Sequence, residues 1–191
     1  MGIGIFGGTF DPPHVGHVVA AAVTRHHLGL EQVLLTVANR PWQKVGTRAV
    51  TPAADRLALV EALVDGIDGL EASSIEIERG GDSYTADTIA EVHRRHGERR
   101  AFVIVGSDAA AGLPTWKRAD EVRDAATIVL VDRPGVPSPP LPDGWSFVRV
   151  DIPRLDVSST DIRARVGRGE PIDGLVPRGV RSVIEARGLY R

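Results

Sequence analysis

The fold of this chain is decided by the stretch Gly7-Gly8-Thr9-Phe10-Asp11-Pro12-Pro13-His14-Val15-Gly16-His17. A short apolar run, Gly2 to Phe6, precedes it, and an apolar segment of helical period, Val15 to His27, follows it. A strand, a glycine turn and a helix start in that order are typical of an anion site. The reason is that glycines let the backbone approach a phosphate and the first N–H groups of a helix point toward it. We therefore expect Gly7 and Gly8 to lie beside a phosphate group.

The two histidines of this stretch add chemistry to the turn. His14 and His17 are three residues apart at the helix start, so both imidazoles can project from about the same face toward one ligand. Imidazoles can donate hydrogen bonds to phosphate oxygens whose negative charge grows in a transition state. The alternative is a tight turn followed by two solvent-facing histidines. The coincidence of so many specified positions after a strand favours the phosphate site.

Alternation along the chain predicts the architecture. Short apolar runs bounded by Gly, Pro or Asp alternate with segments of helical period. This pattern predicts an α/β, Rossmann-like open and mostly parallel sheet with helices on both faces and a small C-terminal helical part. The predicted strands are Gly2 to Phe6, Gln32 to Val37, Leu70 to Ile77, Ala101 to Val105, Thr127 to Val131 and Ser146 to Val150. The predicted helices are Val15 to His27, Asp55 to Ile67, Tyr84 to His96, Ser158 to Val166 and Arg178 to Arg187.

The second predicted helix carries the clearest start signal, since Thr51 and Pro52 supply a cap and a first-turn proline. A length of 191 residues fits one domain over residues 1–191 better than two. We therefore expect a single nucleotide-binding unit, and whether it forms a homo-oligomer is left open.

Composition limits the kinds of partner and the cellular location that we expect for this chain. Basic and acidic residues number 23 and 25, so no overall field draws the chain to nucleic acid or to an anionic membrane surface. The sequence contains no run of about twenty apolar residues, so it predicts no membrane span. The sequence has no cysteine, which excludes thiol nucleophiles and disulfides and makes the cytoplasm the expected location.

A second motif lies near the C-terminus, at Asp156-Val157-Ser158-Ser159-Thr160-Asp161-Ile162-Arg163. Ser158 with Asp161 has the pattern of a capping box, which by itself predicts an ordinary helix start. The same helix N-terminus, with three hydroxyl groups and Arg163 one turn inside, also predicts a cradle for the β- and γ-phosphates of a nucleotide. Both interpretations are open on the residues alone.

Two stretches lack any period: Asn39 to Val50, which contains Lys44, and Pro134 to Trp145, which holds five prolines. Loops of this length in an α/β domain are usually mobile or functional. Trp116 follows a Gly-Leu-Pro loop beyond the fourth predicted strand. Tryptophan usually lies in the core, but this position at a strand's carboxyl end favours a ligand pocket.

The first motif resembles the first signature of the HxGH nucleotidyltransferase superfamily, in the form carried by bacterial nicotinate mononucleotide adenylyltransferases. The second resembles the Ile-Ser-Ser-Thr-x-Ile-Arg signature of that superfamily, with Val157 replacing isoleucine. The resemblance covers most of the chain, from Gly7 to Arg163. Where the family usually has Pro-x-His-Lys, this chain has Pro41-Trp42-Gln43-Lys44, so a glutamine replaces the histidine.

This resemblance implies transfer of AMP from ATP to nicotinate mononucleotide, giving nicotinate adenine dinucleotide and pyrophosphate in NAD biosynthesis. The implied catalytic residues are His14, His17 and Arg163. The implied ATP-binding residues are Gly7, Gly8, Thr9, Phe10, Gly106, Asp108, Ser158, Ser159 and Thr160. The implied mononucleotide-binding residues are Lys44, Thr85 and Trp116. Mg²⁺ is implied because ATP carries it, and the sequence shows no dedicated cluster of metal ligands.

Three other interpretations stay open. The same chemistry could act on another acceptor, such as phosphopantetheine or nicotinamide mononucleotide. A nucleotide-binding regulator without turnover is a second, and the intact pair of histidines argues against it. A plain dinucleotide-binding domain is the third. It is disfavoured because no Gly-x-Gly-x-x-Gly follows a strand.

Overall fold

Six strands form one parallel sheet in this computed structural model, which describes residues 2–41, 49–97, 99–132 and 142–191 and, of Asp108, the backbone only. In chain order they are β1 Gly2–Gly8, β2 Gln32–Val37, β3 Leu70–Ser73, β4 Arg100–Gly106, β5 Ala126–Asp132 and β6 Phe147–Asp151. The order across the sheet is β3-β2-β1-β4-β5-β6, and every neighbouring pair is parallel. The predicted α/β, Rossmann-like class is confirmed.

Helices connect the strands and cover both faces of the sheet. They are α1 Val15–Leu28, α2 Ala53–Val64, α3 Ile75–Arg79, α4 Thr85–His96, α5 Ser107–Ala111, α6 Ala119–Ala125, α7 Ser159–Gly167 and α8 Arg178–Ala186, with a 3-10 turn at Leu113–Thr115. The last two form the predicted C-terminal helical part. Among the described residues, no helix is long and apolar enough to cross a membrane.

Alternate strand residues enter two separate cores. Val33 and Leu35 of β2 pack in the core that also receives the buried side chains of α2 and α8, whereas Leu34 packs on the opposite face. In β4, Ile104 enters the first core, while Val103 enters the second, beside buried residues of α4 and α6. Because helices bury both faces, the central strands are nearly continuous apolar runs.

The strand order reverses between β1 and β4. The chain leaves β1 toward β2 on one side and later enters β4 on the other side. Open α/β sheets bind ligands at such a switch point, outside the carboxyl ends of the strands. In this sheet the carboxyl end of β1 is Gly7 and Gly8, and that of β4 is Gly106.

The third strand is shorter than predicted. The prediction of a strand from Leu70 to Ile77 is wrong beyond Ser73, because Ile75–Arg79 is helical. β3 is an edge strand, and its pairing with β2 ends where Ser73 faces Thr36. Beyond Ser73 the run turns into a helix, which buries Ile75 and Glu76.

The start of α2 also differs from prediction. The helix begins at Ala53 with Pro52 as its N-cap, and no side chain caps it, so the predicted cap at Thr51 is wrong. The helix ends at Val64, before Ile67. Helices α3, α5 and α6 were not predicted, since five to seven residues are too few to show a helical period.

A buried arginine joins the segments that leave β1 and β2 to the start of α2. Arg56 is only 1% exposed. Its guanidinium donates to the carbonyl oxygens of Thr9 at 2.9 Å, of Thr51 at 2.7 Å and of Asn39 at 3.2 Å. The planar fork of an arginine can serve three acceptors at once, and a lysine cannot reproduce that geometry.

We expect Arg56→Lys to lower the free energy of unfolding by about 3 kcal/mol, because buried carbonyl groups that lose their donors each cost about 1–3 kcal/mol. Arg94→Lys is the matched control. Arg94 pairs with Glu91 at the surface, and its replacement should change stability by less than about 0.5 kcal/mol. Urea denaturation of both variants measures the difference, and equal stabilities would contradict the role of Arg56.

Candidate active site

The first strand ends later than predicted. β1 continues through Gly7 and Gly8, which pair with Thr36 and Val37 of β2, so the turn begins only at Thr9. A Cβ at Gly8 would lie 2.8 Å from the ring of Phe10. Packing therefore requires glycine at position 8.

Gly7 and Gly106 have no such requirement from the chain itself. Among the residues that the structure describes, apart from the adjacent ones in the chain, a Cβ at either position would meet no atom within 4 Å, and neither residue has a left-handed backbone. Both end neighbouring strands at the switch point. Their missing side chains leave backbone open to the crevice, which is the arrangement that close approach of a phosphate needs.

The predicted pair of histidines is brought together. The ring centroids of His14 and His17 are 3.8 Å apart. The backbone N–H of His14 donates to Nδ1 of His17 at 3.1 Å. Because Nδ1 is the acceptor, the neutral imidazole of His17 carries its proton on Nε2 and is a hydrogen-bond donor on that side. The edge of Phe10 packs against the same ring at 5.1 Å between centroids.

Gly16 lets these rings lie against the second motif. A Cβ at Gly16 would lie 3.0 Å from Nδ1 of His14 and 3.2 Å from Cγ1 of Val157. A side chain at the glycine of the HxGH signature would therefore be in tight contact with both neighbours, which would have to shift. The glycine leaves room for His14 on one side and for Val157 on the other.

The start of α1 is not a bare set of N–H donors. The N–H of Val15 donates to the carbonyl oxygen of Leu175 at 3.1 Å, and that of His17 donates to the carbonyl of His14 at 2.9 Å. Two of the N–H groups that the sequence predicts to point toward a phosphate are therefore already bonded within the protein. The imidazole groups, rather than these two N–H groups, are placed to meet an anion.

The second motif docks directly on the first. Ser159 Oγ donates to the carbonyl oxygen of Pro12 at 2.7 Å, and Arg163 Nη1 donates to that of Asp11 at 2.7 Å. Ser158 caps α7 as predicted, by accepting the N–H of Asp161 at 3.1 Å. The hydroxyl proton of Ser158 remains available to a ligand, whereas that of Ser159 is committed to Pro12.

Two cavities adjoin at the switch point. One, of about 190 Å³, is lined by Phe10, His14 and His17 together with residues of β1, β5 and the segment after β6. The other, of about 230 Å³, is lined by Thr85, Trp116 and Glu76 among others. They share four wall residues, which are Phe6, Gly7, Gly8 and Gly106. The structure therefore has two neighbouring cavities that share a wall formed mainly by glycines.

The second cavity contains the mononucleotide residues predicted from the sequence, as far as they are described. Thr85 begins α4, and Trp116 is half-buried, with one part in the core and another on the cavity. The predictions for Lys44 and for the side chain of Asp108 lie outside the described residues; the backbone of Asp108 is in α5.

Sequence reasoning missed Glu76, a carboxyl group in the wall of this cavity. It is 6% exposed, and burial raises the pKa of its carboxyl group above 4.5, against the opposing effect of hydrogen bonds from Ser83 and Thr88. The Thr88 hydroxyl donates to Glu76 Oε1 at 2.5 Å. The signal available in the sequence was an acidic residue between Ile75 and Ile77. Only the helix at that point shows that it faces inward.

The fold and the paired compartments define a nucleotidyltransferase. A model of the cytidylyltransferase-like family matches residues 5–165, and the chain belongs to this family. It is similar over its whole length to a curated protein of Exiguobacterium sibiricum named "Probable nicotinate-nucleotide adenylyltransferase", with 44% identity over 100% of this chain and 99% of that one. A protein of the same name from Saccharopolyspora erythraea is 40% identical over 99% of this chain and 89% of its own. The resemblance drawn from the sequence is confirmed.

A solved structure agrees in fold. Plasmodium falciparum nicotinic acid mononucleotide adenylyltransferase complexed with NaAD matches with a TM-score of 0.79, over 99% of this chain and 97% of that one. The sequence identity is 14%, so the likeness is one of fold.

We expect Gly7→Ala to separate folding from ligand binding. The added methyl group meets no other side chain or backbone within 4 Å in the described part of the chain, so thermal stability should be unchanged or slightly higher, since alanine also restricts the unfolded chain. In the crevice it should obstruct a bound phosphate and lower kcat/KM by at least about tenfold. Thermal unfolding and pyrophosphate release measure the two effects. Normal turnover would show that Gly7 does not lie against a bound phosphate.

Proposed function

We propose that this protein transfers AMP from ATP to nicotinate mononucleotide and releases pyrophosphate and nicotinate adenine dinucleotide. The observation that carries the proposal is the pair of cavities joined over Gly7, Gly8 and Gly106, with paired imidazoles in one and an aromatic ring in the other. A two-substrate transfer needs such a meeting point. The names of the full-length relatives supply the substrate.

The reaction needs positioning more than acid–base chemistry. A 5′-phosphate oxygen of the mononucleotide attacks the α-phosphorus of ATP. The new P–O bond forms while the bond between the α-phosphorus and the bridging oxygen breaks, and that oxygen leaves with pyrophosphate. The attacking oxygen is already ionised, so no general base is required. Catalysis then consists of alignment and of stabilising charge on the phosphates.

The described donors suit that task. The Nε2–H of His17 can donate to a phosphate oxygen, since its other ring nitrogen is held by the backbone N–H of His14. His14 stacks beside it and lines the same cavity. Arg163 at the start of α7 can meet the leaving pyrophosphate, together with Ser158 and Thr160.

The pyridine end of the substrate fits the second cavity. We propose that Trp116 stacks on the ring and that the N-terminus of α4 at Thr85 receives the carboxylate, as an anion is favoured there. Glu76 already accepts hydrogen bonds from Ser83 and Thr88. These hydrogen bonds fix the carboxyl group of Glu76 in the wall of the cavity.

Magnesium is proposed to arrive with ATP. The candidate site consists of imidazoles, hydroxyls and a guanidinium, which donate to phosphate oxygens and do not form the oxygen cage that Mg²⁺ prefers. In the described part of the chain, no group of three His, Cys, Asp or Glu could hold a metal ion. When bound with ATP, Mg²⁺ would further neutralise the charge of the triphosphate.

Two expectations from the sequence remain proposals: one domain over residues 1–191 and a cytoplasmic location. The continuous six-stranded sheet supports the first. Formation of a homo-oligomer is left open.

His17→Ala is expected to lower kcat by about a hundredfold or more, because it removes a donor to charge that develops in the transition state. The fold should survive, since His17 lies at the helix surface beside the crevice. Pyrophosphate release measures turnover, and thermal unfolding controls for damage. Near-normal turnover in a folded variant would exclude His17 from catalysis.

Substrate choice tests the proposed function itself. With ATP, kcat/KM for nicotinate mononucleotide should exceed that for nicotinamide mononucleotide by at least about tenfold, because the amide brings donors toward the N–H groups of α4. A coupled assay of pyrophosphate release, with phosphopantetheine as a third acceptor, ranks the substrates. Better use of either alternative acceptor would reject nicotinate mononucleotide. No release with any acceptor would reject adenylyl transfer.

A further inference from the structure

We propose that Tyr190 is a positioning residue for the transfer step: its hydroxyl group fixes Asp11, and through Asp11 it fixes the guanidinium of Arg163. The proposal rests on the proposed function, in which Arg163 meets the leaving pyrophosphate. It concerns the last turn of the chain, which lies beyond residues 5–165 that the family model matches.

The first contact joins the C-terminus to the first motif. The hydroxyl group of Tyr190 donates to Asp11 Oδ1 at 2.8 Å. Asp11 is 1% exposed, and its Oδ2 is 3.5 Å from the N–H of Thr51. A buried carboxylate depends on its donors, and the tyrosine contact is the shorter of these two. Tyr190 therefore holds the side chain of Asp11 in place.

The phenol is suited to remain a donor. Burial and the negative charge of Asp11 raise the pKa of Tyr190 above its ordinary value of 10.0, so it keeps its proton at neutral pH. Arg163 donates to the backbone carbonyl of Asp11, so its guanidinium lies beside the residue that the phenol contacts. Tyr190, Asp11 and Arg163 thus form one local group.

The second contact passes from Asp11 to Arg163. Nη1 of Arg163 donates to the backbone carbonyl of Asp11 at 2.7 Å, and Nη2 donates to Thr160 Oγ1 at 3.2 Å. If the Asp11 peptide rotates, the guanidinium must follow or lose this bond. A planar fork is sensitive to such a change, since its donors point in fixed directions.

The chain beneath Tyr190 is itself anchored. Helix α8 packs on α2, and Arg187 pairs with Asp55 at 2.5 Å. Tyr190 has a φ of 66°, a left-handed conformation that is uncommon outside glycine and is held when surrounding contacts fix it. These contacts hold the backbone that carries the hydroxyl group of Tyr190.

The test is Tyr190→Phe in the full-length protein, which removes one oxygen atom. We expect kcat to fall about five- to tenfold while KM for ATP changes less than about twofold, because Arg163 acts on charge that grows in the transition state. Glu185→Gln is the matched control. It removes the negative charge that pairs with Arg181 on the exposed side of α8 and should leave kcat unchanged. Wild-type kcat in Tyr190→Phe would overturn the proposal.

A double-mutant cycle separates positioning from a general structural effect. If Tyr190 acts through Arg163, adding Tyr190→Phe to Arg163→Lys should lower kcat less than about twofold further. An additive loss would overturn the proposal, because it would show that the hydroxyl group acts elsewhere. Should Tyr190→Phe fail to fold, Asp11→Asn weakens the same contact from the other side. It must then show the same selective loss of kcat, and an unchanged kcat would be contrary evidence.

A readout without substrate distinguishes this proposal from the proposed function. Amide hydrogen exchange over residues 9–14 should be faster in Tyr190→Phe than in the wild type, whatever the acceptor is. Equal exchange would overturn the anchoring of Asp11. Absence of pyrophosphate release by the wild type would instead reject adenylyl transfer and leave the exchange result to decide on Tyr190.

Discussion

Two hydrogen bonds between segments 147 and 152 residues apart hold the candidate active site together. Ser159 donates to the carbonyl of Pro12, and Arg163 donates to that of Asp11. Each bond ends on the backbone of the loop that follows β1, so the second motif is placed by main-chain atoms rather than by the identity of the loop's side chains. The second motif lies beside the segment that carries the paired imidazoles only while this docking holds.

A buried arginine stabilises the segments on which the second motif docks. Arg56 joins the carbonyls of Thr9, Asn39 and Thr51, so the turn after β1 and both ends of the segment between β2 and α2 share one buried guanidinium. The cost of leaving such carbonyls without donors exceeds the usual gain from a surface ion pair. The surface pairs of this chain, such as Arg94 with Glu91, therefore matter less to the site than this single buried residue.

The two cavities explain why the site needs glycine in different ways. At Gly8 and Gly16 a methyl group would press on neighbours inside the protein, on Phe10 in one case and on His14 and Val157 in the other. At Gly7 and Gly106 it would contact none of the described segments, and both positions line the crevice. The first pair serves packing, whereas the second serves the approach of a ligand. Phosphoryl transfer between two bound nucleotides depends on that approach, because most of its catalysis is alignment.

The sequence by itself determined the class of fold and both motifs, because strand runs, glycines and helix starts are local patterns, and helix α1 and the cap of α7 are formed by near neighbours in the sequence. It misplaced the end of β3, because the apolar run from Leu70 to Ile77 carries no local signal that pairing with β2 ends at Ser73. It also missed Glu76, Arg56 and Tyr190, whose roles depend on contacts with distant segments. The tertiary structure alone decided which N–H groups of α1 are already bonded and which hydroxyls of α7 remain available. Long-range hydrogen bonds, which no periodicity encodes, satisfy those groups.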